Sequence, residues 1–331
     1  MKNIIFLLAW LALMPAYASN LVITPTFEKS ITKNSQAGLV KSAVDNAITL
    51  FETDVSAKSS VKVSIDFSLT KDPNDLGSSS LAPLDLPYKS YKAYLQALPD
   101  KSPFQSEAFA SLPAGPDTGI NNNASDVMLT AANLAAIGDT KDSKIAIADN
   151  SGYDGSISVN LANASGEADL QSTVEHEIDE VLGIGGWGSA IVEGALPADV
   201  GSMDLYRYSQ PGVRSFSNDT NESAYFSIDG GYTEIVYFNQ TNNTDGEDFG
   251  DWGSPDGGDS NNPPQVQDAA GGISDIYPNL GVNELIALNA VGWQLTPAGM
   301  DIADQFELPA PSAAGLMLCG LGLLWRWRGR T

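Results

Sequence analysis

The spacing of hydrophobic residues predicts a helix and then a strand near the start of the chain. Between positions 37 and 51 the apolar residues recur at steps of three and four, the period of an amphipathic helix: Val40, Val44, Ile48 and Phe51. Apolar and polar residues then alternate from 61 to 69, the period of a half-buried strand. A helix and a strand of this kind indicate a mixed α/β domain.

The same criteria predict the remaining elements. Helical spacing with caps or terminal glycines predicts helices at 88–98, 131–137, 170–182 and 284–291. Short apolar runs predict strands at 144–148, 155–159, 224–228 and 232–238, and the Pro- and Ser-rich stretch predicts a loop at 72–87. We therefore expect one α/β (α+β) body at 19–308, whose irregular, β-rich C-terminal part follows the helix at 170–182.

The two ends of the chain differ in composition from this body. Residues 1–18 combine Lys2, a short apolar run and Ala16-Tyr17-Ala18, which is typical of a cleaved secretory signal peptide. Residues 309–331 combine Pro309-Ala310-Pro311, an apolar stretch and three arginines. This tail resembles the PEP-CTERM sorting signal of Gram-negative bacteria. The resemblance implies an exosortase-type sorting enzyme as partner and membrane contact through the tail, at least before processing.

These ends predict an exported protein, located in the periplasm, at the cell surface or in the extracellular matrix. The whole chain has 41 acidic and 17 basic residues, a net charge of -24. The ends hold four of the basic residues and no acid, which leaves 13 basic against 41 acidic residues in the body, a net charge of -28. Such a body has no basic surface with which to displace the counterions of a nucleic acid, so we exclude that partner.

The scarcity of histidine and cysteine restricts the chemistry further. The chain has one histidine, His176, and one cysteine, Cys319, which lies in the C-terminal tail. Sites built on several histidines, cysteine-rich zinc modules and disulfide scaffolds are therefore excluded. Any chemistry that needs an imidazole must use His176.

His176 falls on the predicted helix at 170–182 in a pattern typical of a metal site. On a helix, His176 and Glu180 are i,i+4, so an imidazole nitrogen and a carboxylate oxygen can reach one ion. Glu177 projects beside them, where it can take a proton from a water that the metal activates. The alternative is an acidic, solvated helix face with a surface histidine.

The segment His176–Gly183, HEIDEVLG, resembles the zincin metallopeptidase signature His-Glu-x-x-His-x-x-Gly. It is most similar to a family of exported, metalloprotease-like bacterial proteins in which His-Glu-x-x-Glu replaces that signature. Four further segments look like recurrent parts of that family, so that the resemblance spans roughly 37–293: DLYRYSQPGVRSF, AYFSIDGG, FGDW and NELIALNAVGW. The resemblance implies a metzincin/zincin-like catalytic domain with a twisted sheet, a support helix and an active-site helix. It also implies that His176 and Glu180 bind zinc and that Glu177 is the general base.

The third metal ligand stays open, because Gly186 stands where metzincins have their third histidine. Asp204 is our first choice, since GSMDLYRY resembles the Gly-Thr-x-Asp segment of aspartate-type zincins. Glu193 and Asp199 are alternatives, and each of the three acids can instead be solvated. A His/Glu/Asp set favours zinc less strongly than three histidines and leaves manganese or calcium open.

The low-complexity stretch at 241–263 predicts an acidic surface loop. Its carboxylates are candidate calcium ligands, although their spacing is not that of an EF-hand: Asp245, Glu247, Asp248, Asp251, Asp256 and Asp259.

Two functions agree with these features. The first is an exported zinc-dependent metallopeptidase that hydrolyses a protein or peptide substrate with metal-activated water. The alternative is a non-catalytic surface or extracellular-matrix protein on a zincin-like scaffold with a structural metal. They differ at Glu177, because only the peptidase needs a general base.

Overall fold

The alternating pattern at 61–69 produces a central strand of the main sheet. Every second side chain from Val61 to Phe67 is buried, and the side chains between them are more exposed. The computed structural model describes residues 20–72, 75–114, 126–192, 199–240, 248–253, 264–269 and 278–308.

The described residues form a mixed α/β fold, as the sequence predicts. Their helices are α1 Lys29–Thr32, α2 Ala37–Asp54, α3 Tyr88–Gln96, α4 Pro103–Ser111, α5 Ala131–Ile137, α6 Thr140–Asp149, α7 Glu167–Leu182, α8 Val282–Val291 and α9 Pro297–Ala303. Their strands are β1 Leu21–Phe27, β2 Val55–Ser56, β3 Val61–Leu69, β4 Gly77–Ser80, β5 Leu84–Pro87, β6 Asp126–Leu129, β7 Gly155–Val159, β8 Val200–Gly201, β9 Arg207–Gln210, β10 Val213–Arg214, β11 Tyr225–Phe226, β12 Val236–Tyr237 and β13 Gln294–Leu295. All five predicted helices are present, as α2, α3, α5, α7 and α8.

The main sheet has the strand order β1-β3-β7-β4. β1, β3 and β7 run parallel, whereas β4 pairs antiparallel with β7 and forms an edge of the sheet. Helices α2 and α7 pack against each other, and α2 also contacts β1 while α7 contacts β4 and β7. The sheet and α2 thus fix the position of α7, the helix that carries the His176 motif.

The strands of the described residues form three further sheets, with the strand orders β5-β6-β8, β10-β9-β11-β12 and β13-β2. Described strands after α7 are only two to four residues long, and the strands predicted at 224–228 and 232–238 shorten to β11 and β12. One cluster of buried apolar side chains nevertheless runs from Leu21 to Ala303 and includes Trp252 and Trp293. Elements on both sides of α7 in the sequence therefore share a core.

Two predictions of local structure are wrong. The predicted loop at 72–87 contains β4 and β5, because β4 is a Gly-Ser-Ser-Ser segment that is defined by its hydrogen bonds to β7 and has no apolar alternation. The predicted strand at 144–148 lies inside α6, where Asp139 caps the helix by accepting from the backbone N–H of Asp142. The buried residues Ser143 and Ala146 of α6 are three positions apart, which is helical spacing.

The predicted signal peptide at 1–18 and the predicted sorting tail at 309–331 lie outside the described residues. Both remain predictions from the sequence. Within the described ranges, no helix is long and apolar enough to cross a membrane.

Candidate metal centre

Helix α7 has separate packing and ligand faces. Glu167 and Asp169 place negative charge in its first turn, which stabilises a helix N-terminus, and Gly183 (φ 99°) ends it in the left-handed conformation. The apolar face is fully buried: Leu170, Val174, Ile178, Val181 and Leu182. His176 and Glu180 lie one turn apart, so both side chains extend on the same side of the helix.

Asp251 joins His176 and Glu180 in a group in which one ligand atom of each residue lies within 4.8 Å of the others. His176 Nε2 is 3.7 Å from Asp251 Oδ2 and 4.0 Å from Glu180 Oε1. Both carboxylates are buried, whereas 19% of the His176 side chain is exposed. No other three His, Cys, Asp or Glu residues in the described part of the chain come this close, and this group can hold a metal ion.

The His176 ring is oriented by the backbone of a distant segment. Its Nδ1 lies 3.0 Å from the carbonyl oxygen of Val266. Because a carbonyl only accepts, Nδ1 must carry the proton of this hydrogen bond, and in the neutral ring the lone pair then lies on Nε2. Nε2 is also the atom that faces Glu180 and Asp251. A backbone carbonyl that fixes the tautomer in this way is typical of metal-binding histidines.

Both oxygens of Glu180 accept hydrogen bonds that hold the carboxylate in place. The backbone N–H of Gly186 donates to Oε1 over 3.0 Å, and the hydroxyl of Ser79 on β4 donates to Oε2. A methyl group at Gly186 would overlap Glu180 Oε1 and Asp248 Oδ2. The glycine-rich segment after α7 is therefore shaped around the acidic side chains.

Asp251 lies in the segment 248–253, which consists of turns and an isolated bridge. Two buried polar contacts fix this segment. Arg207 Nη1 donates to the carbonyl of Phe249 over 2.7 Å, and Trp252 Nε1 donates to Glu284 Oε1 over 3.0 Å. Since both donors are fully buried, the main chain beside Asp251 is held from the core side.

Glu177 and Asp248 add two more carboxyl groups to the site. Burial raises the pKa of Glu177 well above its usual value, and the charges of Glu180 and Asp251 raise it further. Burial also raises the pKa of Asp248 to about 6, with Glu180 contributing and His176 opposing. Four ionised carboxyl groups around one imidazole would repel one another, and a cation held between them would offset this repulsion and favour their ionised forms.

The amide of Gln267 provides hydrogen-bond donors at the same place. Its Nε2 lies 2.8 Å from Asp251 Oδ1 and 3.2 Å from His176 Nε2. The side chain is fully buried. Gln267 is thus in direct contact with two of the three candidate ligands.

Another set of buried carboxyl groups lies on a neighbouring face of α7. Burial raises the pKa of Glu175 to about 7 and that of Asp179 well above its usual range, and Glu284 of α8 raises both. Glu175 accepts from the Gln171 side chain and from the backbone N–H of Leu280. Such carboxyl groups hold protons more readily than exposed ones, which reduces the charge that the core must accommodate.

The structure does not bring Asp204, our first choice for the third ligand, into the His176 group. Asp204 Oδ1 accepts from the hydroxyl of Ser189 over 2.7 Å, and Oδ2 accepts from the backbone N–H groups of Ala190 and Gly201 over 2.8 Å each. The Asp204 carboxylate therefore connects the segment that follows α7, at Ser189 and Ala190, to β8 at Gly201.

The alternatives to Asp204 also lie elsewhere. Asp199 is close enough to Asp85 to raise the pKa of that carboxyl, after the larger effect of burial, and it is not part of the three-residue group. Glu193 lies outside the described residues. Of the candidate calcium ligands at 245–259, Asp248 and Asp251 belong to the His176 site, and the others lie outside the described residues: Asp245, Glu247, Asp256 and Asp259.

Sequence reasoning missed Asp251 as a ligand of this site and missed Gln267 altogether. The FGDW segment around Asp251 resembles the family and lies in the acidic stretch, but no spacing links it to His176. Gln267 carries no sequence signal, because an isolated glutamine is an ordinary residue. No protein-family model, no curated protein and no solved structure matches this chain.

Proposed function

We propose that this protein is an exported metal-dependent peptidase whose zinc ion is held by His176, Glu180 and Asp251. The observation that carries the proposal is the convergence of one imidazole nitrogen and two carboxylates, with Glu177 beside them, at a point where the His176 side chain is partly exposed to solvent.

The residues present fit a zinc ion. Imidazole nitrogen and carboxylate oxygen are both common zinc ligands, and three protein ligands are the usual number in a catalytic zinc site. The mutual repulsion of the buried carboxyl groups, and the oxygens of Glu180 and Asp248 that converge at Gly186, support a cation at this place. A bound zinc ion supplies Lewis acidity, which polarises a carbonyl group and lowers the pKa of water to ~7.

Glu177 is the proposed general base. Its carboxyl lies among Glu180, Asp251 and Asp248, and it packs against Gly77 of the edge strand β4. In this position it takes a proton from the attacking water and passes it to the nitrogen of the leaving amine. A positioned carboxylate of this kind typically contributes 10²–10⁴-fold to the rate.

The edge strand β4 supports a peptide as substrate. β4 pairs with β7 on one side, and no other described strand pairs with it. Gly77 lies against Glu177, and Ser79 donates to Glu180, so the strand passes directly beside the site. An extended peptide that pairs with the free edge would place its backbone next to Glu177.

The arrangement of elements supports a zincin-like fold as part of this proposal. A mostly parallel sheet ends in an antiparallel edge strand, α7 carries the motif, and α2 packs beside α7 in the place of a support helix. The expected signal peptide and PEP-CTERM-type tail would deliver the enzyme to the periplasm or cell surface, with the exosortase-type enzyme as a processing partner.

The test compares wild type with His176→Ala, Glu177→Gln and Glu167→Gln. Glu167→Gln is the matched control, because it makes the same chemical change at an exposed glutamate in the first turn of α7. We expect wild type, Glu177→Gln and Glu167→Gln to bind one zinc per chain and His176→Ala to bind none. Among the three zinc-loaded proteins, only Glu177→Gln should cleave fluorescent casein more slowly, by at least 10²-fold. A zinc content in His176→Ala equal to that of wild type would contradict the proposed metal site. Unchanged proteolysis in Glu177→Gln would contradict the proposed general base and favour the non-catalytic surface protein with a structural metal.

A further inference from the structure

The carboxamide of Gln267 lies between two of the candidate ligands, His176 and Asp251. Nε2 is 2.8 Å from Asp251 Oδ1 and 3.2 Å from His176 Nε2, and the side chain is fully buried. The other atom of the amide, Oε1, has no hydrogen-bond partner among the described residues. A buried carbonyl oxygen without a partner costs ~1–3 kcal/mol, so this orientation of the amide leaves one group unsatisfied.

Gly185 has no side chain, which leaves room for the carboxamide of Gln267 beside His176 and Asp251. A methyl group at Gly185 would overlap Gln267 Nε2 and come within 3.0 Å of Asp251 Oδ1. Gly185 also has φ 61°, a conformation that L side chains rarely adopt. The backbone that follows α7 is therefore shaped to admit a carboxamide beside the ligands.

A cation and the Gln267 amide compete for the lone pair of His176 Nε2. The amide nitrogen is a poor ligand because its lone pair is delocalised, and its protons are directed at His176 Nε2 and Asp251 Oδ1. A half-turn of the carboxamide about its last side-chain bond exchanges Nε2 with Oε1. This rotation removes the competing donors and gives the unpartnered oxygen a role, since amide carbonyl oxygens coordinate divalent cations.

We propose that Gln267 is a fourth protein ligand, through Oε1, which closes the metal site in the free protein. The inference rests on the proposed metal site. Two ligands of a tetrahedral ion with bonds of about 2.0 Å lie about 3.3 Å apart, close to the 3.2 Å between Gln267 Nε2 and His176 Nε2. A neutral carboxamide binds more weakly than a carboxylate, so Gln267 is the ligand that an incoming group displaces.

The test is a titration of the metal-free protein with Co²⁺ and with Zn²⁺, with azide then added to the Co²⁺ form. The variants are Gln267→Ala, Gln105→Ala and His176→Ala. Gln105 is the matched control, because it is also a buried glutamine with an unpartnered Oε1, but its amide donates to the backbone carbonyls of Asn289 and Trp293. Circular dichroism checks folding, and Gln267→Leu replaces Gln267→Ala if the alanine variant unfolds.

We expect Gln267→Ala to raise the dissociation constant of the metal about tenfold, to change the d–d absorption of bound Co²⁺, and to bind azide more tightly than wild type does. Gln105→Ala should match wild type in all three measurements. The proposal is overturned if Gln267→Ala and wild type have the same affinity and spectrum, or if Gln105→Ala shows the same changes. If His176→Ala binds the metal with the affinity of wild type, that result would instead contradict the metal site itself, and with it the proposed function.

Discussion

At the scale of single residues, Asp204 and Asp251 are both buried aspartates but have different partners. Asp204 accepts three hydrogen bonds from its own neighbourhood, whereas Asp251 faces His176. Their substitution by asparagine therefore separates a structural carboxylate from a metal ligand.

We expect Asp251→Asn to lose bound metal and to keep most of the stability of the metal-free protein. Asp204→Asn should keep the metal at one ion per chain but lose ~1–2 kcal/mol of stability, because a neutral amide accepts weaker hydrogen bonds from the backbone N–H groups of Ala190 and Gly201 and the Ser189 hydroxyl must turn to accept. Metal analysis and urea unfolding of the metal-free proteins measure both effects. Metal loss in Asp204→Asn, with metal retained in Asp251→Asn, would reverse the assignment.

Asp154 predicts a pH dependence of stability that is independent of the metal site. Burial raises its pKa to about 6, although the backbone N–H of Ser64 donates to Oδ2 over 2.8 Å and opposes this shift. Because the folded-state pKa lies above the unfolded value, folding binds a proton here. The stabilisation is complete below pH ~4 and is lost as the pH rises through about 6.

We expect Asp154→Asn to become more stable relative to wild type by ~2–3 kcal/mol between pH 4 and pH 7. Urea unfolding at each pH gives the difference between the two proteins, in which the titration of all other carboxyl groups cancels. A difference that does not change with pH would show that Asp154 has an ordinary pKa in the folded protein.

At the scale of elements, the sequence predicts the helices and strands whose hydrophobic residues recur with a clear period. It does not predict the elements that are defined only by pairing with a distant strand. The helix with His176 and Glu180 could be predicted because its apolar stripe and terminal glycine are local signals. The edge strand β4 could not, since its serines become a strand only through pairing with β7. Asp251 could not be predicted for a related reason. It lies in the turns of the segment 248–253, and only the tertiary fold brings this segment next to α7.

Arg207 links the segment 248–253 to the small sheet that contains β9. Its guanidinium donates to the carbonyl of Phe249 and to Gln240 Oε1, and it stacks on Phe238 with 4.2 Å to the ring centroid. A methionine keeps the apolar stem but removes these donors. The position of Asp251 should then become less well defined.

We expect Arg207→Met to weaken metal binding about tenfold and to cost ~2–4 kcal/mol of stability. Arg214→Met is the control, because Arg214 donates to the carbonyls of Leu205 and Ser111 instead. Calorimetric titration with zinc and urea unfolding distinguish the two effects. If both variants lose stability and neither loses affinity, Arg207 supports the fold without positioning the ligand.

At the scale of the whole molecule, the candidate site joins parts of the chain that are far apart in sequence. His176 and Glu180 come from α7, which packs on the main sheet, and Asp251 precedes Trp252, whose ring packs against Phe226 and Phe238. Both regions belong to the same core cluster. An ion at the site therefore bridges the early α/β half and the later irregular half.

This bridge predicts that metal binding stabilises the whole fold. A ligand that binds only the folded state at one hundred times its dissociation constant adds ~2.7 kcal/mol, which raises the melting temperature by roughly 4–5 °C for a body of the length of 19–308. We expect this rise for wild type with zinc, its loss with a chelator, and no rise for His176→Ala. Far-UV circular dichroism and tryptophan fluorescence, to which Trp187, Trp252 and Trp293 of the described residues contribute, should shift together, because one core contains both halves. A shift in fluorescence alone would mean that the ion orders the surroundings of the tryptophans locally and leaves the stability of the α/β half unchanged.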